Sequence, residues 1–231
     1  MTGFILKTVA LLTMVLDHIK YAIPITNGFI TQYFGRISFP LFAFLITEGY
    51  IHTSNRKKYI KRLFIFALIS QIPFMLFRTL IIQKLMLNIL FTFLFAILGI
   101  QILEYLNKNE KINKFFTYII SVVSFFTIAI LGEFLHVDYG WFGILAVWIF
   151  YIFKNKKFIT LLIYSALVFI YYCSLCFPTM NNINLISLFF TILPGIIILF
   201  YNGKEGKKVK YVFYAFYPIH MLILYGISFI L

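Results

Sequence analysis

The chain has 231 residues, of which 62% are hydrophobic and 12% are charged, and its formal net charge is +13. Soluble domains are usually about 45–50% apolar and about 25% charged, and much of any folded surface must face water. A soluble domain of this length cannot bury so much apolar surface. The composition therefore predicts an integral membrane protein and excludes a secreted, coiled-coil, disordered or nucleic-acid-binding protein.

Nine apolar segments follow one another along the chain, most of them close to the roughly 20 residues that a helix needs to cross a bilayer. We place them at 4–24, 34–51, 63–82, 86–106, 115–134, 140–153, 158–176, 185–201 and 211–231. The connectors between them have at most about ten residues, which leaves no room for a soluble domain. The sequence therefore predicts an all-α fold, a polytopic transmembrane helical bundle of about nine helices that forms a single domain over residues 1–231.

Basic residues are distributed unevenly between the two sides of this predicted bundle. The loops after the even-numbered segments hold 15 of them: Arg56, Lys57, Lys58, Lys61, Arg62, Lys108, Lys111, Lys114, Lys154, Lys156, Lys157, Lys204, Lys207, Lys208 and Lys210. The odd-numbered loops hold 4: Lys20, Arg36, Arg78 and Lys84. Because cytoplasmic loops carry the excess of Lys and Arg, we expect a cytoplasmic N-terminus and an outward-facing C-terminus. The same rule accounts for the positive charge without a nucleic-acid partner.

Four ionisable side chains fall well inside predicted helices: Asp17 and His18 in the first, Glu48 in the second and His220 in the ninth. Ionisable groups at membrane depth are costly, so each is a functional candidate. Helix length places His18 and His220 at a similar depth, and we expect both imidazoles to face one internal cavity. An ion pair with His52, four residues further on, is an alternative role for Glu48.

Lys7 and His18 share one face of the first helix. They are eleven residues apart, which is almost three whole turns and roughly 16 Å along the axis. A cation near the cytoplasm and an imidazole at depth suit a long cofactor such as an acyl-CoA. Snorkelling of Lys7 and helix packing of His18 are the alternative, and the spacing does not decide between them. Asp17 lies about 100° around the helix from His18, so we expect it off this face, paired with Lys20 or holding a histidine of another helix.

Three further polar residues lie near outer helix ends. Arg36 offers a guanidinium that suits a carboxylate or phosphate, with an interfacial anchor as its alternative role. Asn88 and Thr92 lie one turn apart, and their alternative to substrate binding is a hydrogen bond between helices.

The loop after the fifth segment carries an E-x-x-H pattern in Glu133 and His136, followed by Asp138. Di-iron sites use this pattern twice, together with further carboxylates. We therefore expect a solvated loop here and no metal.

The positions of these residues match a set of family motifs: Leu6-Lys7, Met14 to His18, Gly35 to Phe44, Glu48-Gly49-Tyr50, His52-Thr53, Arg62 to Pro73, Asn88, Phe91-Thr92 and Tyr217-Pro218-Ile219-His220. In these motifs the chain resembles the TraX family of integral-membrane acetyltransferases, part of a transmembrane acyltransferase superfamily. The similarity is dense over the first hundred residues, sparse in the middle, and dense again near the C-terminus.

The resemblance implies an acyl-CoA-dependent O- or N-acyltransferase in the cytoplasmic membrane of a bacterium. Its acyl donor is acetyl-CoA, and Lys7 and His18 fit the superfamily pattern of a basic residue, ten intervening residues and a histidine. The implied acceptor is an envelope polymer, a surface glycan, a surface protein or a pilin, and membrane lipid surrounds the protein.

We assign the site residues accordingly. His18 is the base or a transient acyl carrier, His220 is a partner base or oxyanion donor, and Asp17 orients an imidazole or an amine. The residues expected to bind the CoA phosphates are Lys7, Arg56, Lys57 and Lys58. Those expected to bind substrate are Arg36, Glu48, Asn88 and Thr92.

Two other functions remain open at this point. A proton-coupled transporter or flippase would use Asp17, Glu48 and the buried histidines as a relay. The chain has no repeated halves, which are frequent in transporters. A non-enzymatic assembly factor would leave the buried histidines unexplained.

Overall fold

The computed structural model describes residues 1–23, 28–81, 84–109, 112–176, 184–207 and 210–230. The helices are α1 (Gly3–Ala22), α2 (Phe29–Tyr33), α3 (Ser38–His52), α4 (Arg56–Arg78), α5 (Ile89–Lys108), α6 (Lys114–Phe134), α7 (Gly140–Ile152), α8 (Lys157–Cys176), α9 (Leu185–Leu199) and α10 (Lys210–Ile227). A 3-10 turn at Phe34–Ile37 joins α2 to α3, so Phe29–His52 is one continuous segment. The described residues thus form nine helical segments, which confirms the predicted all-α bundle.

Five of these segments are long and apolar enough to cross a membrane: Phe29–His52, Arg56–Arg78, Ile89–Lys108, Lys114–Phe134 and Lys157–Leu175. Three apolar helices are shorter, at Gly140–Ile152, Leu185–Leu199 and Tyr211–Ile227. The protein is therefore an integral membrane protein. Helix α1 has sufficient length, but Lys7, Asp17 and Lys20 interrupt its apolar character.

Helix α4 begins seven residues earlier than the sequence predicts. The Asn55 side chain accepts a hydrogen bond from the backbone N–H of Lys58 at 2.9 Å and so caps the helix. An asparagine in this position satisfies an N–H group that has no partner within the helix. The basic residues from Arg56 onward therefore belong to the first turns of α4 and not to a loop.

The N-terminal end of α1 is fixed by the connector between α9 and α10. The N–H groups of Gly3 and Phe4 donate to the carbonyls of Lys204 and Glu205, each at 2.8 Å. The first N–H groups of a helix need such external partners. These bonds hold the turn that precedes Lys7 in place.

The outer half of α1 packs directly against the 3-10 turn. A Cβ atom at Gly35 would lie 2.5 Å from Oδ1 of Asp17, so the close approach needs a residue without a side chain. Nearby, the Ser38 hydroxyl donates to the carbonyl of Ala10 at 3.0 Å. Helix α1 is thereby tied to the start of α3.

Candidate active site

An internal cavity of about 410 Å³ lies between α1, α3, α4, α5 and α10. Near the N-terminus of α1 its walls include Lys7 and Glu205, and near the C-terminal end of α1 they include Asp17, Asp138 and Tyr217. The cavity therefore follows α1 along most of its length.

One stripe of α1 forms a wall of this cavity: Gly3, Lys7, Leu11, Met14 and His18. The intervals of three and four residues are those of one helix face. Lys7 and His18 thus lie on the same wall, as their spacing predicts, with the charge near the N-terminus of α1 and the imidazole deep in the bundle.

His18 and His220 are joined by a hydrogen bond. Nδ1 of His18 lies 2.8 Å from Nε2 of His220, and the two rings are nearly parallel with their centroids 5.1 Å apart. Nδ1 of His220 lies 2.9 Å from the carbonyl oxygen of Phe216. A carbonyl only accepts, so Nδ1 of His220 carries a proton and, in the neutral ring, Nε2 is an acceptor. His18 then donates through Nδ1, which leaves the lone pair on its Nε2.

His18 lines the cavity, whereas His220 is 5% exposed and is not among the described residues that line it. The expectation that both imidazoles face the cavity is therefore wrong for His220. Depth along α10 does not say which face of the helix turns inward. Phe213, Tyr214 and Tyr217 form the α10 wall, and His220, at the next position beyond them, turns towards α1.

Asp17 lines the cavity together with His18, which corrects the expectation that it lies off this face. Gly35 also lines the cavity and lies directly against Asp17. The Asp17 carboxylate also accepts from Lys20 at 2.7 Å, as one of the two predicted roles requires.

At the Lys7 end of the cavity, the lysine and arginine side chains among the described lining residues are Lys7 and Arg62. The guanidinium of Arg62 lies 5.3 Å from the ring centroids of both Tyr59 and Tyr214, and these two rings hold it in position. Its Nε is buried and makes no hydrogen bond with the described residues. Sequence reasoning missed Arg62 as a site residue because it placed the start of α4 after this position.

The other three predicted phosphate-binding residues do not line the cavity. Arg56 forms an ion pair with Glu104, which also accepts from the hydroxyl of Tyr151 at 2.5 Å. Lys57 and Lys58 are exposed at the start of α4. This corrects the expectation that the first basic cluster surrounds the donor.

Among the predicted substrate-binding residues, Glu48 lines the cavity and Arg36 does not. The Glu48 carboxylate lies 3.6 Å from Nδ1 of His52, so the predicted alternative pairing is present. Burial and the Glu48 carboxylate raise the pKa of the Tyr201 hydroxyl to about 12. Arg36 is exposed on the 3-10 turn.

Asn88 and Thr92 are fully buried and have structural partners. Asn88 caps α5 and donates to the carbonyl of Ala67 at 2.7 Å. Thr92 donates to the carbonyl of Asp138 at 2.5 Å. Neither residue lines the cavity, so their positions correct the expectation that they bind substrate, and the predicted alternative of helix packing describes them.

Asp138 reaches the cavity from the connector between α6 and α7, which corrects the expectation of a solvated loop at this residue. His136 and Tyr139 flank it with φ angles of 50° and 63°, the two positive values among the described non-glycine residues. Such backbone strain persists where surrounding contacts determine it. Here the N–H of Asp138 donates to the carbonyl of Leu87 at 2.9 Å, and the ring of Tyr139 stacks on Phe39. Burial raises the pKa of Asp138 to about 6.

Comparison with known proteins gives two matches. The family described as TraX protein matches residues 2–228. The probable fimbrial assembly protein FimC, serogroup H1, of Dichelobacter nodosus is 35% identical over 77 residues, which are 32% of this chain and 31% of that protein. The chain therefore aligns with about a third of the length of this curated relative. No solved structure matches the chain significantly.

Proposed function

The chain belongs to the TraX family, and from this premise we propose that it is a membrane acyltransferase that moves an acetyl group from cytoplasmic acetyl-CoA to an acceptor outside the membrane. The similarity to a fimbrial assembly protein favours a pilin as the acceptor over a surface glycan. The donor and the acceptor reach one reaction centre from opposite sides.

The observation that carries this proposal is the cavity that joins Lys7 to His18. Its volume of about 410 Å³ lies within the range of roughly 300–1,000 Å³ that small-molecule sites occupy. Lys7 and Arg62 give the cytoplasmic end two cations for CoA phosphates. About 16 Å further along α1, the extended pantetheine arm of CoA brings the thioester to His18.

The chemistry needs one base. Nε2 of His18 takes the proton from the hydroxyl or amine of the acceptor as its oxygen or nitrogen bonds to the thioester carbon. The C–S bond then breaks, and its electron pair leaves with the sulfur. The proton moves from His18 to this thiolate, so the products are the acetylated acceptor and free CoA.

The test compares cells that make the chain with cells that lack it. Mass spectrometry of pilins and surface glycans should show acetyl groups that disappear without the chain and return when it is supplied again. His18→Ala should restore none of them, because general-base catalysis contributes roughly 10²–10⁴-fold to such rates. Acetyl groups restored in full by His18→Ala would overturn the mechanism.

Donor binding is tested on the purified protein. Arg62→Gln should weaken acetyl-CoA binding about tenfold, since it removes one of the charge contacts. Lys58→Gln removes an equal charge from the exposed start of α4 and should leave the dissociation constant unchanged. A protein that binds no acetyl-CoA but moves protons in vesicles would instead be a transporter.

A further inference from the structure

The hydroxyl of Tyr217 is buried inside the bundle without an acceptor. The residue is 7% exposed, and no described group accepts the proton of its hydroxyl. A buried hydroxyl without a hydrogen bond is destabilising, so such a group in a folded protein requires an explanation. Tyr217 lines the same cavity as His18, so a bound substrate can supply the acceptor.

Other hydroxyls in this cavity have partners. Ser38 donates to the carbonyl of Ala10, and Tyr59 donates to the carbonyl of Ile46 at 3.0 Å. Tyr217 differs because its polar neighbour is the backbone N–H of Ile89, which is itself a donor. An N–H group cannot accept the phenolic proton, so this proton remains available.

The rings of Tyr217 and His18 both lie next to the ring of His220. The ring centroid of His220 is 5.8 Å from that of Tyr217 and 5.1 Å from that of His18. Both flanking side chains reach the cavity, one with a base and one with a hydrogen-bond donor. Acyl transfer requires these two functions around one carbonyl group.

We propose that the Tyr217 hydroxyl is the oxyanion donor of the acyl-transfer site, and this rests on the proposed function. When the acceptor bonds to the thioester carbon, the C=O π electrons move to the oxygen, and Tyr217 donates a hydrogen bond to that oxyanion while keeping its proton. When the C–S bond breaks, the electrons return to form C=O. The hydrogen bond then weakens and the acetylated acceptor leaves.

The test is Tyr217→Phe, which removes the hydroxyl and keeps the ring. We expect the rate of CoA release from acetyl-CoA by the purified protein to fall about 10²–10³-fold, as for other oxyanion donors. The dissociation constant for acetyl-CoA should stay unchanged, because the bond strengthens in the transition state. The thermal midpoint should not fall, because the hydroxyl has no structural acceptor to lose.

Tyr164→Phe is the matched control. Its hydroxyl is also fully buried, but it donates to the carbonyl of Thr191 at 3.0 Å, away from the cavity. This variant should lose thermal stability and retain the rate of CoA release.

The outcomes separate the two proposals. The oxyanion role would be overturned if Tyr217→Phe had full activity, a lower thermal midpoint or weaker acetyl-CoA binding. Turnover by the wild type would still support the acyltransferase in each of these cases. Failure of the wild type to bind or turn over acetyl-CoA would overturn the proposed function and this inference with it.

Discussion

The protons of His18 and His220 are positioned by a backbone carbonyl. Phe216 accepts from Nδ1 of His220, and this fixes which nitrogen of each ring carries the hydrogen. A single unpaired nitrogen, Nε2 of His18, then remains as the base of the pair. We therefore expect His220 to be a positioning residue that acts through His18.

Replacement of His220 tests this role. His220→Leu removes the acceptor for Nδ1 of His18, so the base can rotate or change tautomer, and we expect kcat to fall about 10²-fold with KM unchanged. His220→Gln can accept the same hydrogen bond and should recover part of kcat. The tautomer of His18 is checked independently by ¹⁵N chemical shifts of labelled histidine. Equal kcat values in both variants, with an unaltered tautomer of His18, would contradict this positioning role of His220.

The raised pKa of the Asp138 carboxyl predicts that the free energy of unfolding depends on pH. Burial raises the pKa of its carboxyl to about 6, and in the unfolded chain the value is about 3.9. The folded state therefore binds the proton more tightly than the unfolded chain. The contribution of Asp138 to the free energy of unfolding is complete below about pH 4 and is lost as the pH rises to about 6. The loss is at most about 3 kcal/mol.

Asp138→Asn removes this ionisation. We expect the thermal midpoints of the variant and the wild type to agree at pH 4 and the variant to be more stable at pH 7, measured by circular dichroism in detergent. A variant that is less stable at pH 7 would show that the ionised carboxylate has a favourable partner.

At the scale of helices, α1 carries His18 and approaches the turn before α3 at Gly35. We expect Gly35→Ala to destabilise the protein by about 1–3 kcal/mol, the usual range for overpacking, because its Cβ would lie 2.5 Å from Cβ of Asp17. Thermal unfolding in detergent measures the change. Gly226→Ala is the control: nothing lies within 4 Å of that added Cβ, so it should be neutral or slightly stabilising. Equal stability of both variants would show that α1 can shift away from the turn.

For the whole molecule, the distribution of basic residues predicts the orientation. In a variant with Cys173 and Cys176 replaced by serine, Lys57→Cys should be protected from an impermeant thiol reagent in intact cells, and Lys84→Cys should be labelled. Both positions are exposed, so accessibility depends on the side of the membrane. Permeabilised cells should label both. Asn182 is a second predicted outer position for this labelling, and it lies outside the described residues. Reversed labelling would place the Lys7 end of the cavity outside and contradict a cytoplasmic donor.

The sequence by itself determined the helices and the α1 stripe. Both follow from local patterns: apolar length sets a helix in a bilayer, and helical periodicity places Lys7 and His18 on one face. Where a local pattern was incomplete the boundary was wrong, as at α4, whose charged first turns lie outside any apolar segment.

Tertiary structure alone decided which face of each helix turns inward. No periodicity in α10 shows that Tyr217 lines the cavity while His220 bonds to His18, because nearly every side of a membrane helix is apolar. The sequence does not distinguish Arg62 from the neighbouring basic residues, or Asp138 from solvated residues of its connector. These side chains come together through contacts between helices distant in sequence, and their roles depend on which atoms meet there.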